Sequence, residues 1–493
     1  MFESAVLIAL DAALIGGVLV LKNPKWLVPL VVLGLPIEYF GTQTLGSLGE
    51  GGAGGVVRAL LNPGKAAMVA LIIIGMVRFR HEPRRLFPDS SVLVPVVGLL
   101  AVMLLGIFWS DSLRPANSVL IMPMYVAFLF VAPAFIEDRR DVERIIGAFL
   151  LAAAALAVVA IAQRVLGVFN WREILIQSDD VSYRSNATFA DPNNFARYLV
   201  ISMTLATALV LATGPRRTTV YLALPALGLG LIGIVATASR SGWLMLLLCG
   251  GLMILIAPIA RYTKARILGS GFISLAVFVT FTMVQGGANA TRIRTLVSGG
   301  EILGIREFLI KAGWAMWKDS PLIGVGSGNF QHSLVLNYIN ILPEWARTSL
   351  SHTSLVSLLA EQGIVGIAMF GFVAFRIGLA VVLAFRRASN PHSKLVVGWL
   401  GVSLIGILLQ SQSEGRLFDE PYLWLLLAIF IAYEVRLAKN DGALASPAPL
   451  ALEDALNQPV RAATRRGARA AAIRLDSPPN AGPALDAPAP GGG

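Results

Sequence analysis

The stretch "TSLVSLLAEQGIVGIAMFGFVAFR" (residues 353–376) is a continuous apolar run of the length that crosses a bilayer as an α-helix. Comparable blocks recur along the chain, which has 493 residues and is 56% hydrophobic and only 14% charged. Continuous runs favour helices over the alternating strands of a membrane β-barrel. The sequence therefore predicts an all-α polytopic membrane protein with about 12 or 13 transmembrane helices.

The predicted spans cover most of the chain before residue 440. In order they are 4–21, 25–40, 65–77, 91–109, 117–136, 142–166, 193–213, 219–237, 241–258, 266–284, 353–376, 395–411 and 419–436. The first lacks a basic leader region and a small-residue cleavage site, so we interpret it as a retained span. The tail after the last span is rich in Ala, Pro and Gly and is predicted to be disordered, because it cannot bury a core.

Positive charge falls on alternate loops. The net charge of +11 comes from basic clusters in these short loops and not from one basic domain, which argues against nucleic-acid binding. By the positive-inside tendency the basic loops and the C-terminus face the cytosol, and the N-terminus lies outside for about 13 spans or inside for about 12. The loops on the opposite face are 41–64, 110–116, 167–192, 238–241, 285–352 and 412–418.

This pattern divides the chain into regions. They are N-terminal transmembrane helices (1–284), an outer loop domain (285–352), C-terminal transmembrane helices (353–437) and a disordered cytosolic tail (438–493). The single cysteine, Cys249, excludes disulfides and thiolate metal sites. The outer loops lack clustered carboxylates or histidines, apart from a weak "DD" at 179–180, so no metal site is predicted.

Two arginines flank a predicted helix start in "YRSNATFADPNNFARYLV" (183–200). Asp191 is a good N-cap and Pro192 suits the first helical position. Backbone N–H groups there, together with Arg184 and Arg197, predict a site for a phosphate or carboxylate. The alternative is that Asp191 acts as a simple helix cap.

Two further arginines lie on the outer face. Arg240 occupies the tip of a hairpin in "TASRSGW" (237–243), where a specific anionic partner competes with snorkelling to lipid headgroups. "REFLIKAGWAMW" (306–317) predicts a helix along the membrane surface, with Arg306 and the tryptophans on one face. The glycines that follow, in "GVGSGNF", are spaced G-x-G-x-G without a preceding strand, so they predict a turn that folds close to the bundle, not a nucleotide site.

A histidine and a carboxylate accompany the span at 353–376. His352 at its outer end can accept a proton near physiological pH, although a structural histidine or a role for His332 instead are alternatives. Glu361 is about half a turn away from His352 at about 100° per residue, so it needs a partner on another helix. An arginine or polar group on a neighbouring span would supply it, and Arg197 is a candidate.

Arg416 lies in another polar stretch, "QSQSEGRLFDEPY" (410–422), which either contacts sugar or solvates a short loop. Several arginines facing one apolar groove suit a diphosphate attached to a lipid tail, because guanidinium binds phosphate bidentately and stays charged. A polyprenyl-diphosphate sugar fits this description. The chemistry would be glycosyl transfer, in which arginines stabilise the departing diphosphate and a histidine takes the acceptor's proton, without a metal or cofactor.

In four ordered stretches the sequence resembles the bacterial O-antigen ligases and related polysaccharide polymerases. The stretches are "RSNATFADPNNFA", "ASRSGW", "REFLIKAGWAMWKDSPLIGVGSGNF" and "SHTSLVSLLAEQGIVG", which with the span pattern cover roughly residues 180–410. The resemblance implies a GT-C-like transferase of the bacterial inner membrane, with a large periplasmic loop and undecaprenyl-diphosphate-linked glycan as donor. Arg240 and Arg306 resemble the family's essential diphosphate-binding arginines, and His352 its acceptor-activating histidine. Many relatives have asparagine where this chain has Thr353, so the local polar contact differs.

The sequence does not identify the acceptor of the glycan. A ligase would use the lipid A–core, a polymerase another lipid-linked repeat of O-antigen, capsule or exopolysaccharide, and a related branch uses protein. A chain-length regulator is a further candidate partner. The competing class is a transporter or flippase of the same lipid-linked oligosaccharide, which would be expected to carry repeats, broken helices at the midplane and polar residues at several depths.

Overall fold

The computed structural model describes most of the chain before residue 438. The described residues are 17, 23–38, 62–111, 117–168, 184–213, 219–286, 290, 293–294, 305–344 and 353–437. Every regular element among them is helical, so the predicted all-α class is confirmed. Most of the predicted span 4–21, His352 and the tail lie outside the described residues. The described residues all belong to one compact unit, Met1–Pro447.

The described helices match the predicted spans from the second onward. They are α1 (Leu27–Gly34), α2 (Pro63–Arg78), α3 (Leu93–Leu105), α4 (Asn117–Val131), α5 (Arg139–Leu166), α6 (Pro192–Thr213), α7 (Leu224–Ala236), α8 (Arg240–Ile256), α9 (Arg261–Gln285), α10 (Ile305–Asp319), α11 (Phe330–Asn337), α12 (Ser354–Arg387), α13 (Pro391–Glu414) and α14 (Pro421–Ala432). Five of them, α5, α6, α9, α12 and α13, are long and apolar enough to cross a membrane, and several shorter apolar helices accompany them. The number of crossings stays a prediction.

The loops of the two predicted faces gather at opposite ends of α5. At its start, Lys25 pairs with Glu137 at 2.9 Å and with Asp141 at 3.2 Å. Near its end, Gln163 donates to the carbonyl of Ala187 at 3.1 Å and accepts from that residue's N–H at 2.9 Å. A helix of 28 residues is about 42 Å long at 1.5 Å per residue, so the two sets of loops are separated by the thickness of a bilayer.

The described part of the loop between α9 and α12 has a small core of its own. α10 covers the predicted helix 306–317, and its buried face carries Leu309, Ala312 and Met316, which pack with Phe330 and other apolar residues. Trp314, on the face predicted to lie along the membrane surface, is exposed. The buried face packs instead against α12, where Ala360 joins the same cluster.

A break in α12 joins this loop to the bundle. Gly363 has a φ of +60°, which interrupts the helix. The N–H groups of Ile364 and Val365 therefore donate outside the helix, to the carbonyls of Pro321 at 2.9 Å and Leu322 at 3.1 Å. Glycine is required here because its backbone adopts positive φ without the penalty of a Cβ.

The carbonyls that the break leaves unpaired are satisfied by the glycine turn. Val325 donates to the carbonyl of Ala360 at 2.9 Å, and Gly326 donates to that of Glu361 at 3.0 Å. Gly324 and Gly326 themselves have positive φ, of 69° and 97°. The expectation that these glycines let the loop fold against the bundle is confirmed.

Candidate functional site

The start of α6 and the hairpin tip between α7 and α8 are joined by hydrogen bonds. Arg184 donates through Nε to the carbonyl of Thr237 at 2.9 Å and through Nη2 to Asn193 Oδ1 at 2.8 Å. The hydroxyl of Ser239 donates to the same oxygen at 2.7 Å. As predicted, Asp191 caps α6, accepting from Asn193 N–H at 2.7 Å. Two loops that are distant in sequence thus form one surface.

Arg184, Arg240 and Arg306 converge at this surface, and we call them the arginine cluster. Arg306, from the large loop, donates to the carbonyl of Ser413 at the end of α13, at 2.8 Å. Burial and the positive charge of Arg240 both lower the pKa of Arg306, opposed by the carboxylate of Glu414. Burial also lowers the pKa of Arg184, and Arg240 adds to that effect.

Arg240 lowers the pKa of both of the others, so its guanidinium lies within electrostatic range of Arg184 and of Arg306, while Asp191 raises the pKa of Arg184 and Glu414 raises the pKa of both. Each of these side chains is only partly buried. An anion placed between them would relieve the repulsion and would accept charge-assisted hydrogen bonds. The arrangement is therefore suited to a phosphate or diphosphate.

Arg197 lies beneath the cluster and is completely buried. Its guanidinium contacts the carboxylates of Glu414 and Glu420 and approaches Gln410 Oε1 at 3.4 Å. The expected pairing of Arg197 with Glu361 is wrong, because two carboxylates at the ends of α13 and α14 already neutralise it. In this position Arg197 holds Glu414 in place below the arginine cluster.

Arg416 lies in the loop between α13 and α14 and also faces acidic side chains. It lies 3.7 Å from Glu38 and 3.5 Å from Asp419. Burial alone would lower the pKa of Arg416, but Glu38, Asp419 and Glu420 raise it well above its ordinary value. Its charge is therefore already balanced by protein carboxylates.

Glu361 anchors the large loop. Its carboxylate accepts from the backbone N–H of Gly328 at 3.0 Å and of Phe330 at 3.1 Å. Phe330 begins α11, and the start of a helix favours a carboxylate through its unpaired N–H groups and its dipole. The partner that an intramembrane carboxylate requires is thus the backbone of a loop and not an arginine.

The beginning of α12 is fixed against the end of α13. The Ser354 hydroxyl donates to the carbonyl of Ser411 at 3.1 Å, and Leu355 N–H donates to Gln412 Oε1 at 3.1 Å. Arg306 binds the neighbouring carbonyl of Ser413. The residue before this helix, Thr353, is buried and its hydroxyl has no partner within the described part of the chain. His352, which precedes it, lies outside the described residues, and the alternative His332 is exposed on α11.

Two cavities adjoin this end of the bundle. An apolar groove of about 400 Å³ runs between α12, α13 and α14. A smaller polar cavity, of about 190 Å³, is lined by Ser354, Glu361 and Asp419 among others. Leu417 and Phe418 line both, so the two meet. The described residues contain no group of three His, Cys, Asp or Glu side chains that could hold a metal ion.

The described chain is thus a helical membrane protein that brings three arginines together near the end of α13 and has an apolar groove between α12, α13 and α14. Residues 225–371 match the family model Wzy_C, O-antigen ligase. The match includes Arg240, Arg306 and the loop with its glycine turn, and it supports a role in ligating or polymerising glycans at a membrane. No curated protein matches the chain significantly.

Sequence reasoning missed several residues that build the site. Asn193 and Gln410 connect its elements: Gln410 donates to the carbonyl of Asn193 at 3.1 Å and to Glu414 at 2.8 Å. Glu38 reaches it from a predicted span near the N-terminus. A polar amide inside a long apolar span, such as Gln410, was the available signal. Nothing local marked Glu38 as a neighbour of Arg416.

Proposed function

We propose that this protein transfers a glycan from undecaprenyl diphosphate to an acceptor sugar on the periplasmic side of the bacterial inner membrane. The observation that carries this proposal is the convergence of Arg184, Arg240 and Arg306 from three separate loops around the end of α13. Such a cluster matches the charge and the hydrogen-bonding geometry of a diphosphate.

The two adjoining cavities support a lipid-linked donor. The apolar groove of about 400 Å³ suits a segment of polyprenyl chain, because it is lined almost entirely by apolar side chains of α12, α13 and α14. The polar cavity beside it offers Ser357, Gln331 and Asp419 to sugar hydroxyls and the rings of Phe330 and Phe418 to a sugar face. In our proposal the diphosphate lies at the arginine cluster, and the lipid chain and the sugar occupy the two cavities, which meet at Leu417 and Phe418.

The reaction needs one proton transfer and one bond exchange. An acceptor hydroxyl attacks the anomeric carbon, its proton passes to His352, and the bond from that carbon to the diphosphate oxygen breaks with the electron pair staying on the diphosphate. The arginine cluster stabilises the charge that develops there. Chain connectivity keeps His352 within one residue of Thr353 at the start of α12, beside the end of α13.

The periplasmic assignment is supported by the distribution of charge. The basic loops lie at the end of the bundle with Lys25 and Glu137, opposite the arginine cluster. With the cluster outside, the donor would be reached from the leaflet in which glycans are assembled onto surface polymers. Arg184, Arg197, Glu361 and Arg416 act in this proposal by positioning or binding substrate.

The proposal is tested with purified protein, a synthetic undecaprenyl-diphosphate oligosaccharide and an acceptor glycan. Arg240→Gln, Arg306→Gln and His352→Ala should each reduce product formation by at least about 100-fold, the scale of losing one stabilising group from such a site. Lys311→Gln is the matched control, since Lys311 is exposed on the helix of Arg306 and pairs with Glu307. Unchanged turnover by any of the three variants would remove that residue from the mechanism.

A deletion strain separates the acceptors and the competing transporter. Long lipid-linked chains with bare lipid A–core would identify a ligase, and single lipid-linked repeats without polymer would identify a polymerase. Accumulation of the lipid-linked repeat in the cytosolic leaflet alone would overturn both and favour a transporter. A chain-length regulator, if one acts with this protein, would alter product length and not the accumulated donor.

A further inference from the structure

A second cavity lies at the end of the bundle opposite the arginine cluster. It has a volume of about 330 Å³ and is formed where α12 ends against the start of α3 and the end of α14. Two arginines line it, Arg376 and Arg387, together with Ser91 and Glu434. α12 runs from the arginine cluster to this cavity, so the two sites are separated by the length of that helix.

The charge of Arg376 is poorly compensated by protein. This residue is the last one of the predicted membrane span 353–376, about 16 Å along the helix from Arg387 at 1.5 Å per residue. Its one hydrogen bond is long, 3.5 Å from Nη2 to the carbonyl of Ser91. Among the described residues no carboxylate lies within ion-pair distance of either arginine. An arginine at this depth calls for an anionic partner.

The one acid that lines the cavity is already engaged. Glu434 accepts from the hydroxyls of Ser90 at 2.6 Å and Ser91 at 2.9 Å. Its carboxylate is therefore held against the start of α3, and the cavity keeps an excess of positive charge. Basic pockets between transmembrane helices are suited to anionic lipid headgroups.

The remaining wall is apolar and reaches the lipid-facing surface. Leu379 and Leu383 line the cavity and are 39% and 37% exposed. We propose that the cavity binds the phosphodiester headgroup of an anionic glycerophospholipid, with Arg376 and Arg387 contacting the phosphate and the two leucines contacting the acyl chains. A free phosphate would use the arginines but not the apolar wall. This site is independent of the proposed glycan transfer.

Native mass spectrometry of the purified full-length protein in detergent tests the proposal, with phosphatidylglycerol, phosphatidylcholine and inorganic phosphate as probes. Phosphatidylglycerol should be retained preferentially. Arg387→Gln should weaken retention about fivefold and the double variant with Arg376→Gln about 25-fold, from the usual contribution of one basic residue to anionic-lipid binding. Arg387 is exposed, so its replacement leaves folding intact.

Arg386→Gln is the matched control, because Arg386 is the adjacent exposed arginine and lines the apolar groove instead of this cavity. Equal retention of phosphatidylglycerol by wild type and the double variant would overturn the proposal, as would an equal loss in Arg386→Gln. Retention of phosphatidylcholine as strong as that of phosphatidylglycerol would refute the requirement for an anion. Full displacement by millimolar phosphate would identify a phosphate site and refute the lipid assignment.

Discussion

Replacing Gly363 by alanine should release the large loop from the bundle. The added Cβ would lie 2.4 Å from the carbonyl carbon and oxygen of Leu322, far inside contact distance. The φ of +60° would in addition penalise alanine by about 1–2 kcal/mol. The docked loop and the broken helix are therefore destabilised together.

The undocked state gains from the same substitution. Without the loop, α12 can close its own hydrogen bonds across position 363, and alanine favours a continuous helix over glycine by about 0.5–1 kcal/mol. The sum is about 1.5–3 kcal/mol, and its middle value of about 2 kcal/mol corresponds to about 30-fold in the docking equilibrium before the steric clash is added. Arg306 reaches the cluster on this loop, so glycan transfer should fall as well.

Hydrogen exchange measures the effect directly. The N–H groups of Val325 and Gly326, which are bonded to α12 in the native protein, should exchange at least about 30-fold faster in Gly363→Ala. Gly371→Ala is the control, because Gly371 is in the same helix and no atom would lie within 4 Å of its added Cβ. Exchange in Gly363→Ala as slow as in wild type would refute the reasoning.

Other changes test the buried ion pairs of Arg197, the anchoring of the loop by Glu361 and the C-terminal tail. Arg197→Met should destabilise the protein by about 3–5 kcal/mol, because Glu414 and Glu420 would stay buried without their cation, and replacing both glutamates by glutamine in the same variant should restore much of the thermal stability in detergent. Glu361→Gln should weaken loop docking by about 2 kcal/mol, seen as faster exchange at Phe330 N–H, while unchanged exchange there would contradict the anchoring role. Truncation after residue 440 should preserve insertion and glycan transfer in membranes, and loss of transfer with normal insertion would give the tail a function.

The helices could be predicted because each one follows from a pattern within its own stretch of sequence. Apolar runs of span length become helices because backbone polar groups in a bilayer must be paired within the segment. The cap at Asp191 and the start of α6 are equally local, since a carboxylate can accept from backbone N–H groups only two or three residues away. The glycine turn was also predictable, because positive φ is nearly confined to glycine.

The partners of the charged residues in the site could not be predicted from such local patterns. Arg197 and Glu361 were opposite charges on neighbouring spans, and the sequence offered no reason to keep them apart. The structure pairs Arg197 with two carboxylates that come from the ends of α13 and α14. Glu361 instead binds N–H groups that become available only when α11 starts beside it.

Composition and periodicity were sufficient for the all-α membrane class and for most of the described helices, because bilayer insertion acts on each segment separately. Tertiary structure decided which arginines meet at the end of α13, which one is buried among acids, and that Gly363 breaks α12 to receive the loop. These features depend on contacts between residues that are far apart in the sequence, such as Ile364 with Pro321 and Arg306 with Ser413. Only packing of the helices brings such residues together.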